Sequence, residues 1–237
     1  MNKIVKFKEN QLEKINHPGN FLYVYKGKFH FMDSFCNTMI INSEPNLEDL
    51  TYNLAFDVEQ YFIKFLESCK LSKDKPAILT VNGYTRAEDI ENALGTNYTY
   101  LDSDANIAEY HDKPFYMNIT SEKFESVMET LLTIRKDIFP LPNNICVFIF
   151  NPEDAKLPGL DKITTVARSR SVYTTTYIED KQKFEDLYMP EILEIVESNC
   201  KLIFKCNQQE IVFIETKPYG LKPKTYEYKR DESLIDN

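Results

Sequence analysis

Three short groups of charged and polar residues hold most of the reactive side chains in this sequence. Asn42-Ser-Glu-Pro-Asn-Leu-Glu-Asp-Leu-Thr51 places Glu44, Glu48 and Asp49 just after an apolar run. Such a cluster either binds a divalent cation or supplies first-turn negative charge to a helix, which the helix dipole favours. Asn151-Pro-Glu-Asp154 follows a second apolar run, and Arg168 and Arg170 close a helical stretch, where cations suit the dipole. Cys146 and Cys200 are the candidate nucleophiles, but each sits in or at the start of an apolar strand with no histidine or basic neighbour, the setting of an inert thiol. Ser169 and Ser171 have no triad signature around them. His17, His30 and His111 are too far apart in the chain to suggest a metal cluster, and the five cysteines form no CxxC pair, so no metal site is expected.

Two further segments have both a functional and a plain reading. Tyr23, Tyr25, Phe29 and Phe31, with Lys26 and Lys28 beside them, form either a stacking platform for a single-stranded nucleic acid or one packed face of a hairpin. Lys222-Pro-Lys-Thr-Tyr-Glu-Tyr-Lys-Arg230 is either a docking peptide or a solvated terminus.

The elements that position these groups follow from hydrophobic periodicity. Residues 1–20 read as a polar lead-in. Phe21–Tyr25 and Lys28–Met32 are β-rich runs separated by Lys26-Gly27, a hairpin signal. Strands are expected at 37–41, 76–81, 97–101, 114–118, 144–150, 172–178, 200–205 and 210–216. Helices are expected at 47–68, 85–94 with Gly95 as its stop, 120–137 with Phe124, Val127, Leu131, Ile134 and Ile138 on one face, 160–170, and 181–196 interrupted at Pro190. Strands that are nearly continuously apolar and alternate with helices imply a mostly parallel sheet covered on both faces.

Composition narrows the function classes. The 237 residues are 43% hydrophobic and include 16 Phe and 15 Tyr, which is enough to build a core without disulfides or disorder. The longest apolar runs are under ten residues, and MNKIVKFKEN lacks a signal-peptide core, so a soluble cytoplasmic chain is expected. The net charge of −9 argues against broad adhesion to nucleic acid or anionic lipid. Six glycines, about 2.5% against a usual ~7%, leave little material for a phosphate-cradling loop.

The stretch Leu157-Pro-Gly-Leu-Asp-Lys-Ile-Thr-Thr-Val-Ala-Arg-Ser-Arg-Ser171 resembles the segment after the Walker B strand of type IV coupling proteins, the motor ATPases of bacterial conjugation and type IV secretion. The resemblance continues through the strand 172–178, Lys183-Phe-Glu-Asp-Leu-Tyr188 and Ile195-Val-Glu-Ser-Asn-Cys200. More weakly, it reaches back through Pro76-Ala-Ile-Leu-Thr-Val-Asn-Gly83, Gly95 and Tyr98-Thr-Tyr-Leu101, covering roughly residues 36–205. It implies a three-layer α/β sandwich of the P-loop, RecA-like class with the family's helical insertion missing. It also implies a subunit contact or arginine-finger remnant at Arg168 and Arg170.

The departures from the family fall on the nucleotide machinery. The Walker A position is the degenerate loop Asn42, Ser43, Glu44, Asn46, Asp49, which has neither the glycines nor the lysine that hold a β-phosphate and, counting Glu48 within it, adds three carboxylates that repel it. The Walker B strand ends in Asn151-Pro152 rather than an acidic pair, with Glu153 displaced along the chain. The glutamine expected after the next core strand is Glu179. The sequence therefore reads as one degenerate RecA-like domain over 1–237: lead-in and hairpin at 1–35, core at 36–216 and a loose tail at 217–237. The expected function is a non-hydrolysing pseudo-ATPase with no catalytic residue, no bound nucleotide and no cofactor, serving as a protein-binding accessory of a mobile element's DNA-transfer machinery. Its partners would be protein components of that machine met through Arg168 and Arg170, and it would be a monomer or small oligomer. The alternatives are an ATPase with non-standard loops and a single-stranded DNA-binding adaptor.

Overall fold

A computed structural model describes residues 3–4, 15–17, 20–25, 28–32, 38–42, 58–71, 75–83, 85–138, 143–200, 202–206, 210–215 and 224–229, with side chains given chiefly over 59–200. In chain order the strands and helices are β1 (Lys3–Ile4), β2 (Ile15–His17), β3 (Asn20–Tyr25), β4 (Lys28–Met32), β5 (Thr38–Asn42), α1 (Val58–Leu71), β6 (Ala77–Val81), α2 (Ala87–Leu94), β7 (Thr99–Leu101), β8 (Phe115–Ile119), α3 (Ser121–Lys136), β9 (Ile145–Phe150), α4 (Leu160–Ala167), β10 (Val172–Ile178), α5 (Lys181–Tyr188), α6 (Pro190–Asn199), β11 (Leu202–Cys206), β12 (Glu210–Glu215) and β13 (Lys224–Lys229).

The main sheet has the order β1-β13-β12-β11-β5-β10-β9-β6-β8-β7. Every pair from β11 to β7 is parallel, and β12 and β13 extend the β11 side as antiparallel strands. β10, late in the chain, is inserted between β5 and β9, so that counting only β5, β6, β9, β10 and β11 gives the order 5-1-4-3-2. Crossovers between parallel strands are right-handed. Those leaving β5 and β6 run towards the β7 side and place α1 and α2 on one face. Those leaving β8, β9 and β10 run back and place α3 to α6 on the other. A separate three-stranded sheet β2-β3-β4 contains the expected hairpin, with Tyr25 opposite Lys28 across Lys26-Gly27.

The core has two halves divided by the sheet. All six residues of β9 are buried, because helices cover both of its faces. Ile145, Val147 and Ile149 join a cluster with Leu79 and Met117 from the neighbouring strands and Phe124, Leu131, Leu160, Ile163 and Phe184 from the α3–α6 layer. The alternate residues Phe148 and Phe150 meet Phe62 of α1 at ring separations of 4.8 and 5.4 Å, and Phe65 lies 4.7 Å from Phe148. Helix α2 ends where the sequence places its stop, at Gly95 with φ 72°.

Two differences from the sequence reading have physical causes. The buried stripe of α3 is Phe124, Met128, Leu131 and Arg135, rotated slightly from the purely apolar one, because Arg135 is drawn into the core by backbone acceptors. The segment expected as a loose tail contains β13, which pairs along its whole length with β12. Its mixed Lys-Thr-Tyr-Glu-Tyr-Lys composition is that of a strand near a sheet margin, where charge is tolerated. The helix expected from residue 47 is described from Val58 onward; residues 43–57 lie outside the described residues.

Candidate functional site

In open α/β sheets, ligands meet the carboxyl ends of the strands. That edge here is built from residues one step past each strand. Asn82 follows β6 and Asn151 follows β9, both in the left-handed region at φ 54° and 43°, which asparagine tolerates better than most residues. Asn82 Oδ1 accepts from the backbone N–H of Ser121 at 3.1 Å and from its hydroxyl at 2.9 Å, capping α3. Beside it, Asn118 Oδ1 accepts from Thr80 Oγ1 at 2.8 Å and from the Gly83 N–H at 3.0 Å, while its Nδ2 donates to the Gly83 carbonyl at 3.2 Å. A Cβ on Gly83 would come within 2.9 Å of Thr80 Oγ1, so this turn requires glycine.

The end of β9, expected from the sequence to be a degenerate Walker B end, carries the amide of Asn151. The Asn151 N–H continues the sheet by donating to the Tyr177 carbonyl at 3.0 Å, and its Nδ2 donates to Glu179 Oε2 at 3.2 Å. An asparagine thus follows β9, and a carboxylate, Glu179, follows β10. The next carboxylate in the chain, Glu153, is 3% exposed and turned inward. Its Oε1 accepts from the backbone N–H groups of Glu179 at 2.6 Å and Asp180 at 2.9 Å. Its Oε2, like Asn151 Oδ1, is buried without a hydrogen-bond partner. Burial pushes the Glu153 carboxyl above the usual range, with the Asp180 and Glu179 amides pulling the other way. The sequence separates Glu153 from a magnesium position by chain register; in the structure this carboxyl is committed to the β10–α5 junction.

The same junction is tied twice more. Asp180 Oδ1 accepts from the Lys183 N–H at 3.0 Å, capping α5, and Lys183 forms an exposed ion pair with Asp154. The Tyr188 hydroxyl accepts from the Leu157 N–H at 2.6 Å and donates to the Pro152 carbonyl at 3.0 Å; burial pushes its pKa up to about 12. Residues 151–157 are thus strapped to α5.

Arg168 and Arg170 form a 3-10 turn between α4 and β10, closed by Ser171 at φ 54°. They lie at the amino end of β10, and Asn151 and Glu179 lie at its carboxyl end. Seven strand residues separate the two ends by about 20 Å. The two arginines therefore do not reach this chain's own strand-end site. The turn is held from inside by Arg135, which sequence reasoning passed over. Its Nε donates to the Arg170 carbonyl at 2.8 Å, one terminal nitrogen to the His111 carbonyl at 3.2 Å, and the other to the Asn143 carbonyl. This guanidinium is 1% exposed, and burial lowers its pKa. The signal for it is the spacing 124, 128, 131, 135, which continues a core stripe with a cation in the last place.

Of the Walker A group, Asn42 ends β5, and Ser43, Glu44, Asn46 and Asp49 lie outside the described residues. So do the side chains of the aromatic hairpin. Among the described residues no three His, Cys, Asp or Glu side chains form a metal-holding group, and no helix is long and apolar enough to cross a membrane.

A parallel sheet with β10 inserted between β5 and β9, covered by helices on both faces, is the three-layer RecA-like form of the P-loop NTPase α/β fold. No family model and no curated protein matches the sequence. Among solved structures, the chain is similar to B204, the DNA-packaging ATPase from Sulfolobus Turreted Icosahedral Virus, at 12% identity over 80% of this chain and 97% of that one, with a TM-score of 0.47. It is similar to PH0250 from Pyrococcus horikoshii OT3 at 11% identity over 76% and 85% of the two chains, TM-score 0.40. Similarity to the bacterial conjugative coupling protein TrwB is 9% in identity over 53% of this chain and 36% of that chain, TM-score 0.34. The fold assignment rests on the strand order itself.

Proposed function

We propose that this chain is a non-hydrolysing member of the P-loop class, a pseudo-ATPase whose scaffold serves protein binding in a mobile element's DNA-transfer machinery. The observation that carries the reading is the state of the Walker B end. Asn151 cannot act as the carboxylate that holds hydrated magnesium, and Glu153 spends its carboxyl on two backbone amides, out of solvent. The acidic Asn42–Thr51 sequence supports the same loss, because like charges about 4 Å apart repel by about 1 kcal/mol in water and by more where partly buried. The partners are protein components of that machinery, engaged through Arg168 and Arg170.

One observation favours a second reading, a nucleotide-binding enzyme with non-standard loops: the Glu179 carboxylate, next to Asn151, still stands at the strand edge. Titration calorimetry with magnesium-ATP, followed by a phosphate-release assay, separates the two. The pseudo-ATPase reading expects no affinity tighter than about 100 μM, roughly −5.5 kcal/mol, and no turnover. Tighter binding that is lost in Glu179→Gln would replace it with the enzyme reading.

A further inference from the structure

The α3–α6 layer carries two surface features that fit each other. Between α3 and α4 runs an open groove of about 330 Å³, with Leu132, Ile163 and Val166 along its floor. Its charges are segregated. Glu125 and Glu129 line the part nearer the strands' carboxyl ends, and Lys136 and Arg170 the opposite end; Lys162 bridges to Glu129 at 3.3 Å. None of the ion pairs among the described residues involves Lys136, Arg168 or Arg170. An apolar floor ending in unpaired cations calls for an apolar occupant with acidic residues at one end. A nucleic-acid backbone does not suit it, because Glu125 and Glu129 would repel phosphate at the other end and the floor offers no ring on which a base can stack.

The second feature is the outward stripe of α6. Glu191, Glu194, Ile195 and Ser198 are exposed, and Met189, at φ 69° just before the helix, is 63% exposed. Met189 and Ile195 are two of the three exposed large hydrophobic residues among those described. The lengths agree: α6 has ten residues and spans about 15 Å, and α4, which walls the groove, has eight and spans about 12 Å. Within one molecule the stripe cannot enter the groove, because α6 packs against the far side of α4, where Asn199 Nδ2 donates to Thr165 Oγ1 at 3.1 Å.

We propose that the α3/α4 groove is the docking site for the α6 face of a second copy of this chain, with Met189 and Ile195 on the apolar floor and Glu191 and Glu194 directed to Lys136 and Arg170. The contact is heterologous, groove on one copy and helix on the next. It rests on the assignment of the Arg168/Arg170 end to protein partners and commits that end to self-association. Arg135 gives the groove a fixed lower end by holding the Arg170 carbonyl.

Light scattering coupled to size-exclusion chromatography, from about 1 to 200 μM, tests the proposal, the concentration range bracketing ordinary weak association. The mass should rise above the 27.8 kDa of one chain as concentration increases, and added salt should move the transition to higher concentration. Lys136→Glu/Arg170→Glu and Glu191→Lys/Glu194→Lys should each weaken association at least tenfold, and a chain carrying all four reversals should recover it. Circular dichroism checks that each variant is folded; if a double variant is not, the single changes Lys136→Glu and Glu194→Lys replace it. A single-chain mass at every concentration, indifference to the reversals, or a four-fold variant no better than the doubles would overturn the proposal. The outcome is independent of the nucleotide titration: tight ATP binding would defeat the pseudo-ATPase reading without changing these masses.

Discussion

Glu153 is a buried carboxylate held by the backbone of the β10–α5 junction. Its carboxyl is buried, satisfies two amides through Oε1 and leaves Oε2 unpaired. Because burial raises its folded-state pKa, the folded protein binds a proton more tightly there than the unfolded chain does. This contribution to stability is therefore largest at low pH, near the ordinary glutamate value, and is lost as pH rises through the folded-state pKa. In Glu153→Gln an acceptor remains for the amides and no buried charge develops. Urea unfolding at pH 5 and at pH 8 should show the variant gaining stability relative to the parent at the higher pH, and a difference that does not change with pH would contradict the raised pKa. Glu153→Ala leaves both amides without a partner and should cost about 3 kcal/mol at pH 5, and less at pH 8, where the parent itself is weakened by the buried charge. The sequence shows that an asparagine, not an acid, follows the β9 strand. It does not show where Glu153 points, because that depends on the left-handed turn at Asn151, a backbone choice made by the surrounding packing.

At the scale of elements, the core strands and helices are legible because their signals are local: continuous apolar runs for β6, β9 and β10, 3.6-residue spacing for α1 and α3, Gly95 after α2, and Pro190 opening α6. Arg135 is less legible, since a cation at the end of a helix is ordinarily read as complementing the dipole at the surface. Here it draws together the end of α3, the turn before β8, the segment before β9 and the 3-10 turn before β10, by donating to the carbonyls of His111, Asn143 and Arg170. Arg135→Ala removes the donors of three carbonyls and opens a void, with an expected loss of about 3–5 kcal/mol. Arg135→Lys keeps the charge but lacks the planar fork, and should recover less than half of that loss. Chemical denaturation measures both; hydrogen exchange should speed up first at the amides of Ile145 and Ser171, which donate to Ser171 and Arg168 respectively. Equal stability of Lys and Arg at this position would show that charge alone, without the three-way fork, sets the contribution.

At the scale of the molecule, strand order is the property least written in the sequence. β10 is placed beside β5 by a pairing that spans 137 residues of chain, for which no local pattern exists, while its pairing with β9 spans 27. The same limit hides β13. Its charged, Tyr-alternating segment reads as a solvated tail, yet in the sheet it stands between β12 and β1, pairing from Glu210 opposite Lys229 to Glu215 opposite Lys224. Removing residues 217–237 would strip β12 of this partner and leave β1 with nothing to pair with, exposing a row of free N–H and C=O groups along β12. The parallel β5–β11 pairing that joins this extension to the core would remain. The truncated chain should therefore keep its central sheet and its helical circular dichroism. It should lose several degrees in melting temperature and aggregate at lower concentration than the full chain. Lys inserted for Ile211 and Phe213 would charge alternate positions of the bared strand and should suppress that aggregation, as charges do on natural sheet margins. An unchanged melting temperature together with unchanged solubility would mean that β13 contributes nothing to the sheet.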